Sequence, residues 1–447
     1  MAIALALYSR NVLLSLFGGT LLGLLILSHF SLFTTFDALY ELFFSLLSEA
    51  WILKTLAFAI LVGSVMELLE RSGGIDGFVE YMTQRSKLVR SGRSALMVSY
   101  IIGVIIFIES SITSLIAGAV GRPLCDREGV PHAKLALVCD STSAPISSLI
   151  VLNGWGALLL GLIGTQIDLG VIEGKSVEWL IESVLYNFYA MSALLVTFAA
   201  VWFNINLGAM KYAKVPQRVK GIQVDKHAPM VYMILPIVMM IFSVFFFLYW
   251  TGDGDILQGS GSSSIFYTML TTLALMYLLY VIRGKMHSKE YFKSAFLGAK
   301  KLFGIAMILL FAFAIGKVTN ELHTGLYLAS LAGETLSPHL LAAVIFLLSS
   351  LISFSTGTSW GTFSIMIPIA VPMAVGLDAN IALAMGAVIS GGVFGDHCSP
   401  ISDTTIISSL ASDCDVIEHV KTQLPYALLS GGVALLFFVL FSFLGSS

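Results

Sequence analysis

Asp396-His397-Cys398-Ser399-Pro400-Ile401-Ser402-Asp403 lies between apolar runs, and so does Asp140-Ser141-Thr142-Ser143-Ala144-Pro145-Ile146-Ser147-Ser148. An acid, hydroxyl side chains and then Pro-Ile-Ser thus occur once in each half of the chain. An earlier interruption precedes each one. Phe107-Ile-Glu109-Ser110-Ser-Ile-Thr113 comes before the first, and Phe354-Ser-Thr356-Gly-Thr358-Ser359-Trp-Gly361 before the second. Both halves therefore share one order: apolar helix, Ser/Thr-rich break, Pro-containing helix, then acid with Pro-Ile-Ser. This is an internal repeat.

The solvent around the repeat follows from composition. Of 447 residues, 57% are hydrophobic and 11% are charged. A water-soluble domain carries roughly 25% charged residues, so most of this chain faces lipid or its own interior. Its net charge of −3 points to no nucleic-acid partner. A spanning helix needs about 20 apolar residues. Runs suited to that role are 12–30, 52–69, 94–109, 186–203, 229–250, 265–282, 302–318, 341–354 and 424–444. Residues 110–122, 134–165 and 360–410 are apolar but interrupted. The fold class is an all-α polytopic membrane protein with about 11–13 spans, depending on how many interrupted pieces cross. The run at 11–30 ends in no small-x-small cleavage site and reads as the first span rather than a signal peptide.

Loop charge sets the expected orientation. Lys and Arg concentrate in 71–93, 204–227 and 283–301, which should be cytoplasmic. The loops 31–50, 166–184, 251–264 and 319–340 hold almost none and should lie outside. The two sets alternate, with the N-terminus inside and the C-terminus outside. Helix 94–109 then runs outward and helix 341–354 inward, so the repeats are inverted. The organisation is a first repeat at 1–204, a basic loop and linking helix at 205–264, and a second, inverted repeat at 265–447. Inverted repeats with broken helices mark secondary transporters, with the site near the bilayer midplane.

Asp140, Asp396 and Asp403 sit in apolar surroundings, and Glu109 ends an apolar helix. An acid at the centre of a span costs about 2.5–3.5 kcal/mol. The bland explanation is pairing with buried Lys or Arg, yet Arg122, Lys134 and Lys317 fall near helix ends, where they can snorkel. Sodium is a hard cation suited to carboxylate, hydroxyl and carbonyl oxygen. A helix broken at Pro145 or Pro400 frees carbonyls for it. Candidate cation-binding residues are therefore Glu109, Ser110, Thr113, Asp140, Ser141, Thr142, Ser143, Thr356, Thr358, Ser359, Asp396, Ser399, Ser402 and Asp403. Sodium is expected at Asp140 and Asp396, with Asp140, Asp396 and His397 as candidate proton carriers. Several other hydroxyls, Ser147, Ser148, Ser408 and Ser409 among them, fit ordinary interhelix hydrogen bonding. Gly391, Gly392 and Gly395 allow close backbone approach and a non-helical turn before Asp396.

Some features point nowhere further. Gly357-Thr-Ser359-Trp-Gly361 has the G-x-S-x-G spacing of a hydrolase nucleophile elbow, but that motif needs a strand-to-helix turn on a sheet. An intramembrane enzyme on Ser359, Asp396 and His397 is thus a distant alternative, as is a channel. Cys125, Cys139, Cys398 and Cys414 have no metal-ligand spacing and read as reduced packing residues. No P-loop motif suggests a primary pump, and no cofactor is expected beyond sodium and protons as coupling ions. Ile75, Phe78, Val79 and Met82 keep helical spacing inside a basic loop, as a helix on the cytoplasmic membrane surface or on the protein would.

The sequence resembles the NhaC-type sodium/proton antiporter family, within the wider ion-transporter group of inverted-repeat carriers. Gly395-Asp-His-Cys-Ser-Pro-Ile-Ser-Asp-Thr-Thr405 with Ser408-Ser409 carries the likeness most specifically. Thr356-Gly-Thr-Ser-Trp-Gly-Thr362 and Asp140-Ser-Thr-Ser-Ala-Pro145 also look like family motifs, and the resemblance spans at least 94–425. It implies sodium/proton exchange across a bacterial cytoplasmic membrane, a re-entrant hairpin in each half, and a homodimer. One departure stands out: antiporters of this type often show Asp-Asp where this chain has Glu109-Ser110. Relatives in the wider group move amino acids or small carboxylates, so a sodium-coupled organic solute is the rival expectation.

Overall fold

The computed structural model describes residues 5, 8–9, 11–74, 77, 91–107, 110–150, 153–215, 229–254, 259–323, 327 and 337–444. In chain order the first half holds α1 (Val12–Leu27), α2 (Leu32–Ser48), α3 (Ala50–Arg71), α4 (Gly92–Ile105), α5 (Ser110–Glu128), α6 (His132–Leu149), α7 (Gly154–Asp168), α8 (Ser176–Leu185) and α9 (Phe188–Trp202). The rest holds α10 (Val231–Thr251), α11 (Gly261–Tyr277), α12 (Ser288–Glu321), α13 (Pro338–Thr356), α14 (Ser359–Gly376), α15 (Ile381–Cys398), α16 (Asp403–Ser412) and α17 (Val416–Leu444). Among the described residues there is no strand. Among the described residues, nine helical stretches are long and apolar enough to cross a membrane, or ten if the bent pair α8–α9 counts as one span. The shorter apolar helices Leu13–Leu27 and Gly92–Ile105 come in addition. The protein is a multi-pass, all-helical membrane protein.

Each uninterrupted apolar run named above is helical over most of its described residues, and local chemistry sets many of the ends. Ser337 caps α13, accepting from His339 N, and Pro338 presets φ in the first turn. That helix stops at Gly357, whose φ of +67° a side chain would disfavour. Asn380 caps α15 and Ser402 caps α16, each accepting a backbone N–H three residues on.

Five expectations need correction. The stretch 31–50 is mostly helix α2, not loop. It buries Thr35, Leu42 and Leu46 and exposes Phe33, Phe36, Tyr40 and Phe44, so Asp37 and Glu41 interrupt its apolar run without stopping the helix. Much of 166–184 is likewise α8, and most of basic 283–301 is the start of α12. Pro145 does not break its helix: α6 runs through it to Leu149, with Ile150 as its C-cap, and α7 starts after the cap residue Asn153. One missing N–H costs a single intrahelical bond, and the packed surroundings hold the turn. Finally, Gly391, Gly392 and Gly395 lie inside α15 and make no non-helical turn. Their expected role in close approach is present, since a methyl group on Gly395 would overlap the Ser350 carbonyl of α13. The run Ile75, Phe78, Val79 and Met82 lies outside the described residues.

Packing follows the repeat. Taking α3–α7 and α9 with α12–α16 and α17 in order, many of the contacts have a mate. Helix α5 packs on α16 as α14 packs on α7, and α6 packs on α17 as α15 packs on α9. Helices α3 and α12 pack on each other, as do α9 and α17. Gly63 and Gly298 meet where α3 crosses α12, and Ser64 Oγ donates to the Ala295 carbonyl at 2.8 Å. At the end of that crossing, Glu67 accepts from Arg71 and Lys301, both at 2.5 Å. The repeat thus places the broken ends of α6, α14, α15 and α16 at the centre of the molecule.

Candidate functional site

The broken helices present their free backbone groups to one another. Asn153, between α6 and α7, gathers three loose carbonyls with its amide: Phe107 at 3.0 Å, Ser147 at 2.8 Å and Ile150 at 2.7 Å. Its Oδ1 accepts from Trp155 N and Gly156 N and caps α7. In the second half, Ser399 Oγ donates to the Phe354 carbonyl, while Ser353 and Ser359 both donate to the Gly392 carbonyl. Side chains thus meet backbone groups that lipid would leave bare.

Between these breaks lie two buried carboxylates. Asp396, 1% exposed at the end of α15, accepts from Ser402 Oγ at 2.6 Å and Thr404 Oγ1 at 3.1 Å. Asp140, fully buried in the middle of α6, is ringed mainly by the second half of the chain. Gln423 Nε2 donates to its Oδ2 at 2.6 Å, and His419 Nε2 stands 3.3 Å from the same oxygen. Thr405 Oγ1 lies 3.3 Å from Oδ2 and Ser408 Oγ lies 3.4 Å from Oδ1. His397 Nε2 faces Oδ1 at 4.0 Å, and its Nδ1 meets Tyr189 OH at 3.0 Å. Two groups tie the acids together. Thr405 Oγ1 is also 3.4 Å from the Asp396 carbonyl, and Gln423 Nε2 also donates to the His397 carbonyl at 2.9 Å.

The cations that could have neutralised these acids are engaged elsewhere. Arg122 pairs with Asp413, Lys134 donates to Asn204 and Asn206, and Lys317 donates to Ser45. Among the described residues, no three of His, Cys, Asp and Glu converge as a metal site. A cation here would need hydroxyl and carbonyl oxygens beside a carboxylate, and the surroundings of Asp396 supply hydroxyls.

The expected residues divide into those brought to the carboxylates and those held elsewhere. Asp140, Asp396, His397 and Ser402 converge, with Ser143 one step out, bonded to the Asp140 carbonyl and to Ser114. Ser114 in turn meets Ser408 at 3.0 Å. Thr142 and Thr356 bond carbonyls of their own helices, and Thr113 bonds the Ile106 carbonyl. Thr358 stands just before α14, its carbonyl accepting from Thr362. Ser110 and Ser141 are buried. Ser359 gives its proton to a backbone carbonyl rather than to a base, which removes the motive for the hydrolase reading. Glu109 and the side chain of Asp403 lie outside the described residues.

Five contributors were missed, His419, Gln423, Thr404, Thr405 and Tyr189, and Ser408, read as ordinary interhelix bonding, faces Asp140. A signal existed for two of them. His419 and Gln423 are i and i+4 at the start of α17, so they share a face of a helix that turns apolar at 424. Starting the span at 424 left them in a loop.

Comparison with known proteins places this geometry. A protein of Haemophilus influenzae without an assigned activity is 33% identical over 96% of this chain and 86% of its own length. A second Haemophilus influenzae protein, described as an uncharacterized Na(+)/H(+) antiporter, is 41% identical over 22% of each chain. The crystal structure of the YdaH transporter from Alcanivorax borkumensis, reported for its unusual topology, superposes with a TM-score of 0.62. It covers 92% of this chain and 90% of that one at 14% identity, a likeness of fold. The model of the Na+/H+ antiporter family matches residues 153–445, which include Asp396 and every donor that the second half sends to Asp140. The chain belongs to the Na+/H+ antiporter family.

Proposed function

We propose that the protein exchanges sodium for protons, with Asp396 holding sodium and Asp140 forming the proton-sensitive half of the site. One observation carries this reading: two buried acids, one from each half of the chain, meet at Thr405, whose hydroxyl lies 3.3 Å from the Asp140 carboxylate and 3.4 Å from the Asp396 backbone carbonyl, and among the described residues no lysine or arginine bonds Asp140. The Ser402 and Thr404 hydroxyls can turn their oxygens towards a cation, as a hard ion requires. Family membership and the name of the second Haemophilus influenzae relative support sodium and protons as the exchanged ions. The bacterial relatives support a bacterial cytoplasmic membrane, and a homodimer rests on the family resemblance alone.

The test is transport by purified protein in liposomes loaded with a pH dye. An imposed sodium gradient should drive protons the opposite way, and Asp396→Asn should abolish that flux while leaving the protein inserted. A panel of amino acids and carboxylates runs beside it, because Ser110 stands where antiporters of this type often carry a second acid. Sodium-driven solute accumulation with no proton movement would replace exchange by sodium-coupled solute transport.

A further inference from the structure

The two carboxylates have neighbours of different chemistry. Asp396 accepts from hydroxyls, which can reverse and present oxygen to a cation. Asp140 also has hydroxyls near it, Thr405 at 3.3 Å and Ser408 at 3.4 Å, but its shortest partner is the Gln423 amide NH2 at 2.6 Å, and ring nitrogens of two histidines face it as well. Three polar atoms buried around Asp140 have no hydrogen-bond partner: His419 Nδ1, His397 Nε2 and Gln423 Oε1. Such atoms are few in native proteins and gather where function needs them.

Their partners fix which ring can take a proton. The tautomers are assigned from the hydrogen-bond pattern. The Asp140 carboxylate 4.0 Å from His397 Nε2 assigns the hydrogen of the neutral ring to Nε2, which leaves Nδ1 to accept from Tyr189 OH at 3.0 Å. His419 is the reverse. Its Nε2–H faces the carboxylate, so Nδ1 keeps a lone pair with nothing bound to it.

Building on the exchange reading, we infer that the coupling proton is held at His419 Nδ1, with Asp140 as its counter-ion, and that sodium never contacts this group. With His419 neutral, the pair carries one negative charge. A proton on Nδ1 turns it into an imidazolium–carboxylate pair with no net charge. Asp396 feels the difference across Thr405, which bonds both Asp140 and the Asp396 carbonyl. The negative pair favours sodium at Asp396 and the neutral pair releases it, so the two ions compete through charge rather than through shared ligands.

The titratable and polar groups around the Asp140–His419 pair come from the helices packed on α17. Asp140 comes from α6, His397 and Asp396 from α15, Tyr189 from α9 by way of His397, and Thr405 and Ser408 from α16. His339 of α13 bonds the Ser442 carbonyl at the far end of α17. Lys211 and Tyr212 lie in the short helical turn Gly208–Tyr212 that packs on α17, and Glu418 and Lys421 lie on α17 itself.

The test compares the wild type with His419→Gln and His419→Asn, whose amides can still donate to Asp140 but take up no proton. Each is reconstituted and measured for sodium-driven proton flux and for exchange of radioactive sodium against sodium with no pH gradient. Both variants should lose proton flux to the level of empty liposomes, while sodium–sodium exchange persists and no longer slows as pH falls. Normal proton flux in either variant overturns the inference. A wild type that moves no protons under a sodium gradient defeats the exchange reading itself, which separates the two failures. Should neither variant insert, histidine nitrogen NMR of the isotope-labelled wild type decides. A buried histidine whose titration midpoint moves with sodium supports the assignment, and none doing so overturns it.

Discussion

Gly63 of α3 and Gly298 of α12 cross with no side chain between them, each lying where a methyl group on the other would overlap a carbonyl oxygen. Gly298→Val should therefore push the two longest-contacting helices apart and destabilise the protein by about 1–3 kcal/mol, the usual range for overpacking. Gly304→Ala on the same helix is the internal control. Nothing lies within 4 Å of a Cβ there, so it should be neutral or slightly stabilising. Thermal unfolding in detergent reads both. Equal melting of the two variants would mean that the crossing is not tight.

Gln423 is the most demanding residue around Asp140, because one amide nitrogen serves that carboxylate and the His397 carbonyl. Gln423→Leu removes a hydrogen bond to a charged group, expected to cost about 1.5–3 kcal/mol. Gln423→Glu should be pH-sensitive with a definite sign. Ionised, the new acid repels Asp140; protonated, it can donate again. Its melting temperature should thus approach the wild-type value as pH falls, whereas Gln423→Leu stays low at every pH. A flat profile for Gln423→Glu would place its side chain away from Asp140.

The Asn153 amide nitrogen shares its two N–H groups among three carbonyls, and its Oδ1 caps α7. Asn153→Asp keeps the cap but turns an acceptor towards carbonyls that need a donor. The expected loss is about 2–3 kcal/mol, because buried acceptors go unsatisfied. Yield of monodisperse protein and the melting temperature measure it. Wild-type values for Asn153→Asp would show that the break holds without this amide.

The inversion of the repeats rests on loop charge and can be tested directly. In a background lacking Cys125, Cys139, Cys398 and Cys414, cysteines placed near Lys214 and Lys293 should resist an impermeant thiol reagent in intact cells. One near Asp253 should react. Labelling at the first two positions would reverse the orientation and remove the argument for inversion.

Apolar runs of spanning length were legible because lipid leaves a helix little choice. The breaks were legible too, as Ser, Thr, Gly and Pro clusters beside acids. Harder to see was where a break falls relative to its proline: Pro145 sits inside α6 because neighbours hold the turn, and the break waits for Asn153 to collect carbonyls. Charge also misled. Asp37 and Glu41 made a helix look like a loop, and Glu418 and Lys421 hid the start of α17. Asp140 and Asp396 were found as acids out of place. Their partners were not, because Gln423, His419 and Thr405 reach Asp140 across 265 to 283 positions of chain, a distance no local pattern encodes.

That separation also imposes an order on biosynthesis. Asp140 leaves the ribosome well before any of the three donors that later hold it, and the last of them follows 283 residues behind. At a synthesis rate of about 5–20 residues per second, the carboxylate waits roughly 15 to 60 s for its full set of partners. An unpaired acid at the centre of a span is costly during that interval, by about 2.5–3.5 kcal/mol. Helix α6 is therefore best sheltered, at the insertion machinery or against α4 and α5, until α16 and α17 arrive. Chains that stall or end before α17 would carry a bare acid in the bilayer, a mark by which quality control could tell an unfinished copy from a finished one.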